Sequence, residues 1–180
     1  WDNEMPRVTA STGRFRINKF PITNRQYAAF VAAGGYDTEE WWTPDDWSWV
    51  QRVQATHPLF WDVNTTTRAA GPSTTLFRMF TDVPMSMDPS EDSAAAAAAD
   101  TPASVSQAEA AAYCRWRGGR LPSEAEWMRA AEGGGGGVGG GGVPGVHGNY
   151  GFVHWGTSPV GLSPAGDSVW GAADMFGQGW

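Results

Sequence analysis

The side chains of this sequence that could bind a metal ion or act as nucleophiles are few and scattered. The histidines are His57, His147 and His154, and Cys114 is the single cysteine. A metal site needs ligands that converge on one ion at roughly 2 Å. The coil that separates His147 from His154 neither supports nor excludes a shared site. We therefore interpret the histidines as hydrogen-bonded loop or surface residues, with metal ligation as the alternative.

Cys114 and the pair Glu124 and Glu126 could in principle carry covalent or acid–base chemistry. A catalytic thiolate needs an activating neighbour such as a histidine or a helix N-terminus, and Cys114 lies in the middle of a predicted helix. We interpret it as a packing residue rather than a nucleophile. Glu126 is explained by helix capping, so paired-carboxylate catalysis is not required. The sequence thus assigns no catalytic residue to this chain.

Common cofactor motifs are absent from the sequence. The glycine run that begins at Gly133 ends in Val143-Pro144, where a phosphate-binding loop would need Gly-Lys-Ser/Thr. There is no GxGxxG after a predicted strand, no CxxC and no HExxH. These absences argue against a nucleotide-binding enzyme, a zinc ribbon and a zinc protease.

We expect this chain alone to retain no iron. The histidines have no recognisable carboxylate partner with which to form the two-histidine, one-carboxylate arrangement of non-haem iron sites. Metal analysis of the purified chain after dialysis checks this expectation. Stoichiometric iron would contradict it and would identify His57, His147 and His154 as candidate ligands.

Helix-capping patterns predict where the regular structure lies. A Ser or Thr followed three residues later by Glu or Gln forms a capping box. Three of them precede apolar faces, and they begin at Thr23, Ser106 and Ser123. Alternating residues predict a half-buried strand over Phe15–Phe20, and further short strands are expected over Leu76–Phe80 and near Phe152 and Val160. Residues 62–75 are polar and predict a surface loop or hairpin. The predicted short helices and short strands together indicate an α+β fold class.

Aromatic, alanine and glycine runs interrupt this pattern. The sequence has 11 Trp, 24 Gly and 12 Pro, which predicts much irregular backbone packed around large rings. The aromatic segment 36–61 is interpreted as a loop region whose rings form core or, alternatively, line a cleft for a cation or sugar. Three interpretations of the alanine run Ala94–Ala99 stay open. It forms an inserted helical turn, it is a disordered insert, or the alanines stand in for unassigned residues. We predict low-complexity inserts at 90–101 and 133–143.

Charge and length narrow the functional classes. The chain has 180 residues and a net charge of −7, which fits one acidic domain and disfavours nucleic acid as a partner. No apolar run approaches the roughly 20 residues of a membrane span, so we expect no membrane partner. A single cysteine fits a reducing compartment, and we expect a cytoplasmic protein. Both ends look cut, so 1–180 is expected to be a domain truncated at both ends.

Several blocks resemble formylglycine-generating-enzyme-like (sulfatase-modifying factor) domains. They are the segment from Phe15 to Phe30, the segment from Pro102 to Trp116, the motif Gly119-Arg-Leu-Pro-Ser-Glu-Ala-Glu-Trp127, and the closing segment from Pro159 to Trp180. They occur in family order and span nearly the whole chain. The resemblance implies a C-type-lectin-like α+β fold with long ordered loops.

Other blocks are similar to the C-terminal domain of ergothioneine-type sulfoxide synthases. They are the segment Trp1–Pro6, Gly34-Gly35-Tyr36, His57-Pro-Leu-Phe-Trp61, and Gly148–Phe152 with His154-Trp155. This resemblance implies oxygen-dependent C–S bond formation on a histidine betaine. It also implies Fe(II) in the full-length protein, held by histidines of a separate N-terminal helical domain that this chain lacks. We therefore expect the chain by itself to be inactive and to bind no cofactor.

Departures from the family keep alternatives open. The family's copper-binding cysteine pair lies in a later segment, and Cys114 does not match it. Gln178 stands where the family usually has Asn near a calcium site, and Asn149 matches another calcium-linked position weakly, so calcium binding is undecided. The alternative functions are a formylglycine-generating-type oxidase and a non-catalytic C-type-lectin-like ligand-binding module.

The resemblance also implies where a small-molecule substrate would bind. It places the substrate cleft on the face where residues 41–61 and residues 149–180 meet the helical domain. A quaternary ammonium is held by aromatic faces at roughly 0.5–2 kcal/mol per contact. We hypothesise that some of four tryptophans line this cleft, namely Trp47, Trp49, Trp61 and Trp155. The competing hypothesis is that all four are buried in the core.

Overall fold

The computed structural model describes residues 9–64, 73–77, 82–88, 90–132, 144–151 and 155–178. Its helices are α1 Asn24–Ala32, α2 Pro44–Val53, α3 Ala94–Ala99, α4 Gln107–Trp116 and α5 Glu124–Ala131. Its strands are β1 Trp61–Asn64, β2 Ser73–Phe77 and β3 Asp82–Met85, and short 3₁₀ turns lie at Glu39–Trp41 and Pro164–Gly166. This content confirms the α+β class. None of the described helices is long and apolar enough to cross a membrane.

All three capping boxes are confirmed. The hydroxyls of Thr23, Ser106 and Ser123 accept hydrogen bonds from the backbone N–H three residues on, and the side chain at that position accepts one in return. Each box therefore satisfies two donors that a helix start leaves free. This local chemistry fixes the beginning of α1, α4 and α5.

Helix α2 corrects the interpretation of segment 36–61 as a loop. The Thr43 hydroxyl accepts from the Asp46 N–H, and Pro44 occupies the first helical position. Both features favour a helix start. The sequence already contains them, although the tryptophans of this segment led to the prediction of a loop. The helix ends at Gln54, whose backbone is left-handed with φ of 52°.

The strands form one antiparallel sheet in the order β1-β2-β3. Trp61 lies opposite Leu76 and Asn64 opposite Ser73, so the ends of the predicted polar segment pair as in a hairpin. The strand expected over Leu76–Phe80 begins earlier, at Ser73, and is described as far as Phe77.

Two strand predictions are wrong, and one lies beyond the described ranges. Residues 15–20 have no strand pairing with any described segment, and Val160 lies in a turn. Alternation specifies two faces, but a strand forms only where another edge pairs with it. The strand expected near Phe152 falls on a residue outside the described ranges.

The alanine run is helical and packs into the core. Ala98 and Ala99 of α3 are buried in the same cluster as Tyr27 and Phe30 of α1. The backbone of Ser86 donates to the Ala95 carbonyl at 3.0 Å and ties α3 to the end of β3. Methyl-sized side chains let this helix approach its neighbours closely. The glycine run predicted as an insert lies outside the described residues.

A buried asparagine joins α1 to the sheet and to the segment after α3. The Nδ2 of Asn24 donates to the Thr101 hydroxyl at 2.9 Å, and its Oδ1 accepts from the Trp61 indole N–H at 2.9 Å. Its backbone N–H donates to the Thr101 carbonyl at 2.9 Å. Because the residue is fully buried, these bonds replace all of its contacts with water.

Glu126 holds the Arg120–Pro122 loop against α5. Its carboxylate accepts two hydrogen bonds from the Arg120 guanidinium, each at 2.7 Å, and one from the Ser123 N–H at 2.8 Å. The Arg120 hydrogen bond first, and the Ser123 backbone second, lower the pKa of Glu126 from 4.5 to about 2. Because the pKa is lowered in the folded state, ionised Glu126 stabilises the fold fully at pH values above its ordinary pKa of 4.5.

We expect the Glu126→Gln variant to be less stable than the wild type at neutral pH. The difference should shrink as the pH falls from 4.5 towards about 2, where wild-type Glu126 becomes protonated. Urea unfolding at a series of pH values measures it. Glu124→Gln, an exposed change in the same helical turn, is the control and should show no such convergence. A Glu126→Gln penalty that stays constant down to about pH 3 would contradict this assignment.

Candidate functional site

One cavity of about 1080 Å³ lies where three segments meet. The end of α2 and the loop that follows it, residues 53–60, form one wall. Residues 102–106, which lead into α4, form the second wall, and the closing loop 174–178 forms the third. The cavity is therefore built mostly from loops held in place by helix ends, a common location for binding residues.

Large apolar side chains lie at the mouth of this cavity, together with exposed polar residues such as Thr56. Trp49, Val53, Leu59 and Phe60 line it. Leu59 is 86% exposed and Phe60 is 44% exposed, so these groups face solvent rather than the core. Exposed rings around a cavity can contact the apolar part of a ligand or the methyl groups of an alkylammonium ion.

The polar residues of the cavity give it an acidic character. Glu109 is 5% exposed and accepts from the Tyr36 hydroxyl at 2.5 Å and from the Ser106 N–H at 2.7 Å. The Asp174 carboxylate accepts from the Gly161 N–H at 2.6 Å. Among the described residues, no lysine or arginine belongs to the lining. Two carboxylates in a lining without lysine or arginine favour a ligand that carries positive charge. We call this cavity the acidic cavity.

Left-handed backbone is concentrated at this cavity. Across the described ranges, the non-glycine residues with positive φ are Gln54 at 52°, Asp174 at 53° and Gln178 at 70°. All three line the cavity. Such conformations cost free energy and persist where the surrounding structure enforces them, often at functional sites. This clustering supports the cavity as the candidate site on grounds independent of its size.

Hydrogen bonds from Asn149 and Ser158 hold the closing loop. The Gln178 N–H donates to the Asn149 carbonyl at 3.0 Å, and Gln178 Oε1 accepts from the Ser158 N–H at 2.9 Å. Asn149 Nδ2 donates to the Gly156 carbonyl at 2.7 Å, while Asn149 Oδ1 is buried with no hydrogen-bond partner among the described residues. Calcium needs six or more oxygen ligands. One free oxygen is fewer than calcium requires, so we propose no calcium site at this loop.

The four predicted cleft tryptophans are dispersed. Trp49 lines the cavity, and Trp47 is half-buried against the core. Trp61 is 5% exposed and bonded to Asn24, which places it in the core, while Trp155 is 60% exposed and is absent from the cavity lining. The structure thus brings one of the four to the candidate site, and substrate binding by them stays a prediction.

Other chemistry-bearing residues also separate. His57 lines the cavity, with Nδ1 3.0 Å from the Pro58 carbonyl oxygen. His147 lies in the turn after Pro144, and His154 is outside the described ranges. Burial raises the pKa of the Cys114 thiol, which agrees with a packing role. Within the part of the chain that the structure describes, no three His, Cys, Asp or Glu residues converge as a metal site.

Sequence reasoning missed the acidic residues of the cavity. Glu109 was assigned to helix capping alone, although its carboxylate also accepts a hydrogen bond from the Tyr36 hydroxyl. Asp174 was recognised only as part of a family block. No local pattern shows that these two residues, 65 positions apart in the printed sequence, share one cavity.

A second cavity, of about 830 Å³, is basic. It lies between residues 14–22, the end of α4 and the start of α5. Of its carboxylates, Glu126 is bonded to Arg120 and Asp174 to Gly161. Five of the 12 basic residues of this acidic chain line it, namely Arg14, Arg16, Lys19, Arg117 and Arg120. This basic cavity and the acidic cavity thus differ in the sign of their charge.

Comparison with known proteins identifies the family. Residues 2–180 match the sulfatase-modifying factor enzyme 1-like domain. The chain is 33% identical to hercynine oxygenase of Mycobacterium tuberculosis over 99% of its own length and 39% of that protein. It is 34% identical to formylglycine-generating enzyme of the same organism, over its whole length and 66% of that protein. It is 30% identical to mouse inactive C-alpha-formylglycine-generating enzyme 2, over 74% of its length and 41% of that protein.

The chain thus spans about two fifths of the hercynine oxygenase that it resembles. The match to the family nevertheless covers almost every residue, including the capping boxes and the loops that form the acidic cavity. The chain belongs to the sulfatase-modifying factor enzyme 1-like (formylglycine-generating-enzyme-like) domain family.

Proposed function

We propose that this chain is the sulfatase-modifying-factor-like domain of an ergothioneine-type sulfoxide synthase. The whole protein would oxidise a histidine betaine with oxygen and join it to a thiol. Its acidic cavity would receive the cationic betaine. A C-type-lectin-like arrangement of the domain and a cytoplasmic location are parts of the same proposal.

The observation that carries the proposal is the acidic cavity itself. Large apolar side chains lie at its mouth, two carboxylates lie in its wall, and its described lining residues include no lysine or arginine. A quaternary ammonium with an aromatic ring suits this combination, because aromatic faces attract the cation and carboxylates complement its charge. The similarity to hercynine oxygenases supports a betaine as that cation.

The described residues do not fit an iron site. His57 lines the cavity with Glu109 and Asp174, but among the described residues no three such side chains converge closely enough to hold one metal ion. We therefore assign iron, if the full-length protein uses it, to ligands of another domain. The domain formed by the present chain would then orient the substrate and shield it from water.

Two alternative functions remain. A formylglycine-generating-type oxidase is favoured by 34% identity over the whole chain. A non-catalytic ligand-binding module is favoured by the inactive mouse relative. The acidic cavity favours the betaine proposal over both, because apolar groups at its mouth and carboxylates in its wall suit a small amphipathic cation.

Binding of hercynine to this chain tests the proposal, with histidine as the matched ligand that lacks the three methyl groups. We expect hercynine to bind more tightly by roughly two- to thirty-fold, the range that one cation–π contact gives. Isothermal titration calorimetry measures both affinities. The Phe60→Leu variant should lose the preference, because it removes an exposed ring at the cavity mouth.

Trp170→Leu is the control, since Trp170 is an exposed ring outside the cavity lining. It should keep the preference for hercynine. Equal affinity for the two ligands, or loss of preference in both variants, would contradict the proposed cavity. Oxidation of hercynine by the full-length protein then distinguishes a synthase from a binding module.

A further inference from the structure

Tryptophan and tyrosine side chains form a continuous series between the two cavities. Trp49 lines the acidic cavity at one end, and Tyr113 lines the basic cavity at the other. Every member between them touches the next. In spatial order the series is Trp49, Trp42, Tyr36, Tyr27, Tyr113 and Trp116.

The spacing within this series is short throughout. The ring centroids of Trp49 and Trp42 are 6.5 Å apart, and those of Trp42 and Tyr36 are 5.5 Å apart. The hydroxyl oxygens of Tyr36 and Tyr27 are 3.4 Å apart. Tyr27 stacks on Tyr113 with centroids at 5.3 Å. Electrons transfer readily between aromatic side chains at such separations.

The series continues to the helix end beside the basic cavity. The Tyr113 and Trp116 centroids are 5.6 Å apart. The Arg117 guanidinium lies 5.7 Å from the Trp116 ring centroid. Trp116 is only partly buried, so a small solute can approach this end.

The chemistry of these side chains distinguishes them from an ordinary aromatic core. Tryptophan and tyrosine lose one electron far more easily than phenylalanine or aliphatic residues. A core needs large rings but does not need each of them to be oxidisable. Phe30 packs against five of the six members, but the contacts between tryptophans and tyrosines are continuous without it.

Glu109 supplies the proton acceptor that tyrosine oxidation requires. A tyrosine that loses an electron also releases its phenolic proton, and burial raises the pKa of Tyr36 so that it cannot lose this proton beforehand. The Tyr36 hydroxyl is 2.5 Å from Glu109 Oε1. Proton and electron can therefore leave Tyr36 together, the proton over one hydrogen bond.

We propose that this series carries oxidising equivalents from the acidic cavity to the basic cavity. The series would protect the protein when an oxidant that is formed from oxygen near the substrate fails to react with that substrate. The protective role rests on the proposed oxygenase function. The capacity of the series to conduct does not depend on it.

Electrons and protons balance along the series. A one-electron oxidant in the acidic cavity takes an electron from the Trp49 indole, and each ring is then reduced by the next one along the series. The Tyr36 proton moves to Glu109, and the Tyr27 proton moves to Tyr36 across the 3.4 Å contact between their hydroxyl oxygens. Tyr113 lines the basic cavity and releases its proton to water there. Each proton returns when its tyrosine regains an electron. A thiolate in the basic cavity gives the last electron to Trp116 or Tyr113, and two thiyl radicals combine into a disulfide.

The basic cavity suits such a reductant. Thiolates of small cellular thiols that also carry carboxylates are anionic. Arg14, Arg16 and Lys19 lie exposed in the lining beside Tyr113. Their positive charge raises the local concentration of an anion. The two cavities adjoin, since Pro21 and Asp174 line both, and their opposite charges favour the cationic substrate in one and the anionic reductant in the other.

Site-directed photo-oxidation tests the route without requiring enzyme activity. A ruthenium photosensitiser is attached at Thr56→Cys, an exposed residue of the acidic cavity, in a Cys114→Ser background that leaves one thiol for labelling. Flashes with a sacrificial electron acceptor then oxidise the protein from this position. A spin trap and peptide mass spectrometry locate the radicals.

We expect trapped products at Trp116 and Tyr113 and few at Trp127, which is exposed in the basic cavity but lies outside the series. Trp42→Phe and Tyr36→Phe should each lower the yield at Trp116 several-fold. Trp47→Phe is the matched control, because it changes a nearby half-buried tryptophan of α2 that lies outside the series, and it should leave the yield unchanged. Circular dichroism checks that each variant is folded.

Products at Trp127 as abundant as those at Trp116 in the otherwise unsubstituted labelled protein would overturn the proposal, even if the variants fail to fold. Equal Trp116 yields in Trp42→Phe and Trp47→Phe would also overturn it. Conduction without any oxidation of hercynine by the full-length protein would leave the route intact and refute the proposed enzyme function instead.

Discussion

Replacing Asn24 with leucine is expected to lower the free energy of unfolding by about 2–4 kcal/mol. The substitution leaves the buried Trp61 indole N–H without its acceptor and removes the hydrogen bond to the Thr101 hydroxyl. A buried donor without a partner costs about 1–3 kcal/mol, and a lost hydrogen bond costs about 1 kcal/mol more. Urea unfolding followed by tryptophan fluorescence and circular dichroism measures the change.

A second substitution separates the orphaned donor from general repacking. Trp61→Phe removes the indole N–H, so the double variant Asn24→Leu/Trp61→Phe should be destabilised by less than the sum of the single variants. Asn18→Leu, an exposed change of the same kind, should alter stability little. Strict additivity of the two buried changes would show that the Asn24–Trp61 bond contributes nothing.

The Gly177→Ala variant is expected to lose about 2–5 kcal/mol of stability and to lose ligand binding in the acidic cavity. Gly177 has φ of +77°, and an added Cβ would overlap the Asn149 carbonyl oxygen. Left-handed backbone costs about 1–2 kcal/mol for alanine, and overpacking adds about 1–3 kcal/mol. Since Gly177 lines the cavity beside Gln178, relief of the clash must move the closing loop. Urea unfolding and calorimetric titration with hercynine measure the two effects.

Gly171→Ala is the matched control for this prediction. Gly171 has φ of +82°, and no neighbouring atom lies within 4 Å of the place that an added methyl group would take. Alanine there therefore brings the backbone strain without the clash. It should cost about 1–2 kcal/mol and leave hercynine affinity unchanged. Equal losses of stability in the two variants would show that the close approach of Gly177 to Asn149 does not hold the loop.

These two sites illustrate how the domain uses close contacts between distant segments. Asn24 ties helix, sheet and the α3 segment together inside the core. Gly177 lets the closing loop pass close to Asn149 and so sets the third wall of the acidic cavity. The first site is expected to affect the whole fold, while the second affects the fold and the candidate site together.

The sequence by itself determined the starts of α1, α4 and α5. A capping box is chemistry between residues three apart, and it needs no information from the rest of the chain. The same kind of signal at Thr43 and Pro44 specifies α2, although the tryptophans around it led to the prediction of a loop. Family membership was also legible, because its motifs are contiguous blocks.

Tertiary structure alone decided which residues share a cavity and which aromatic rings are buried. Strand-like alternation at 15–20 had no pairing among the described segments, because pairing depends on an edge supplied by distant residues. Trp49 and Trp61 look alike in the sequence, yet one lines the cavity and the other bonds to Asn24 in the core. Glu109 and Asp174 line one cavity only because the fold brings α4 and the closing loop to it, an arrangement that no local pattern encodes.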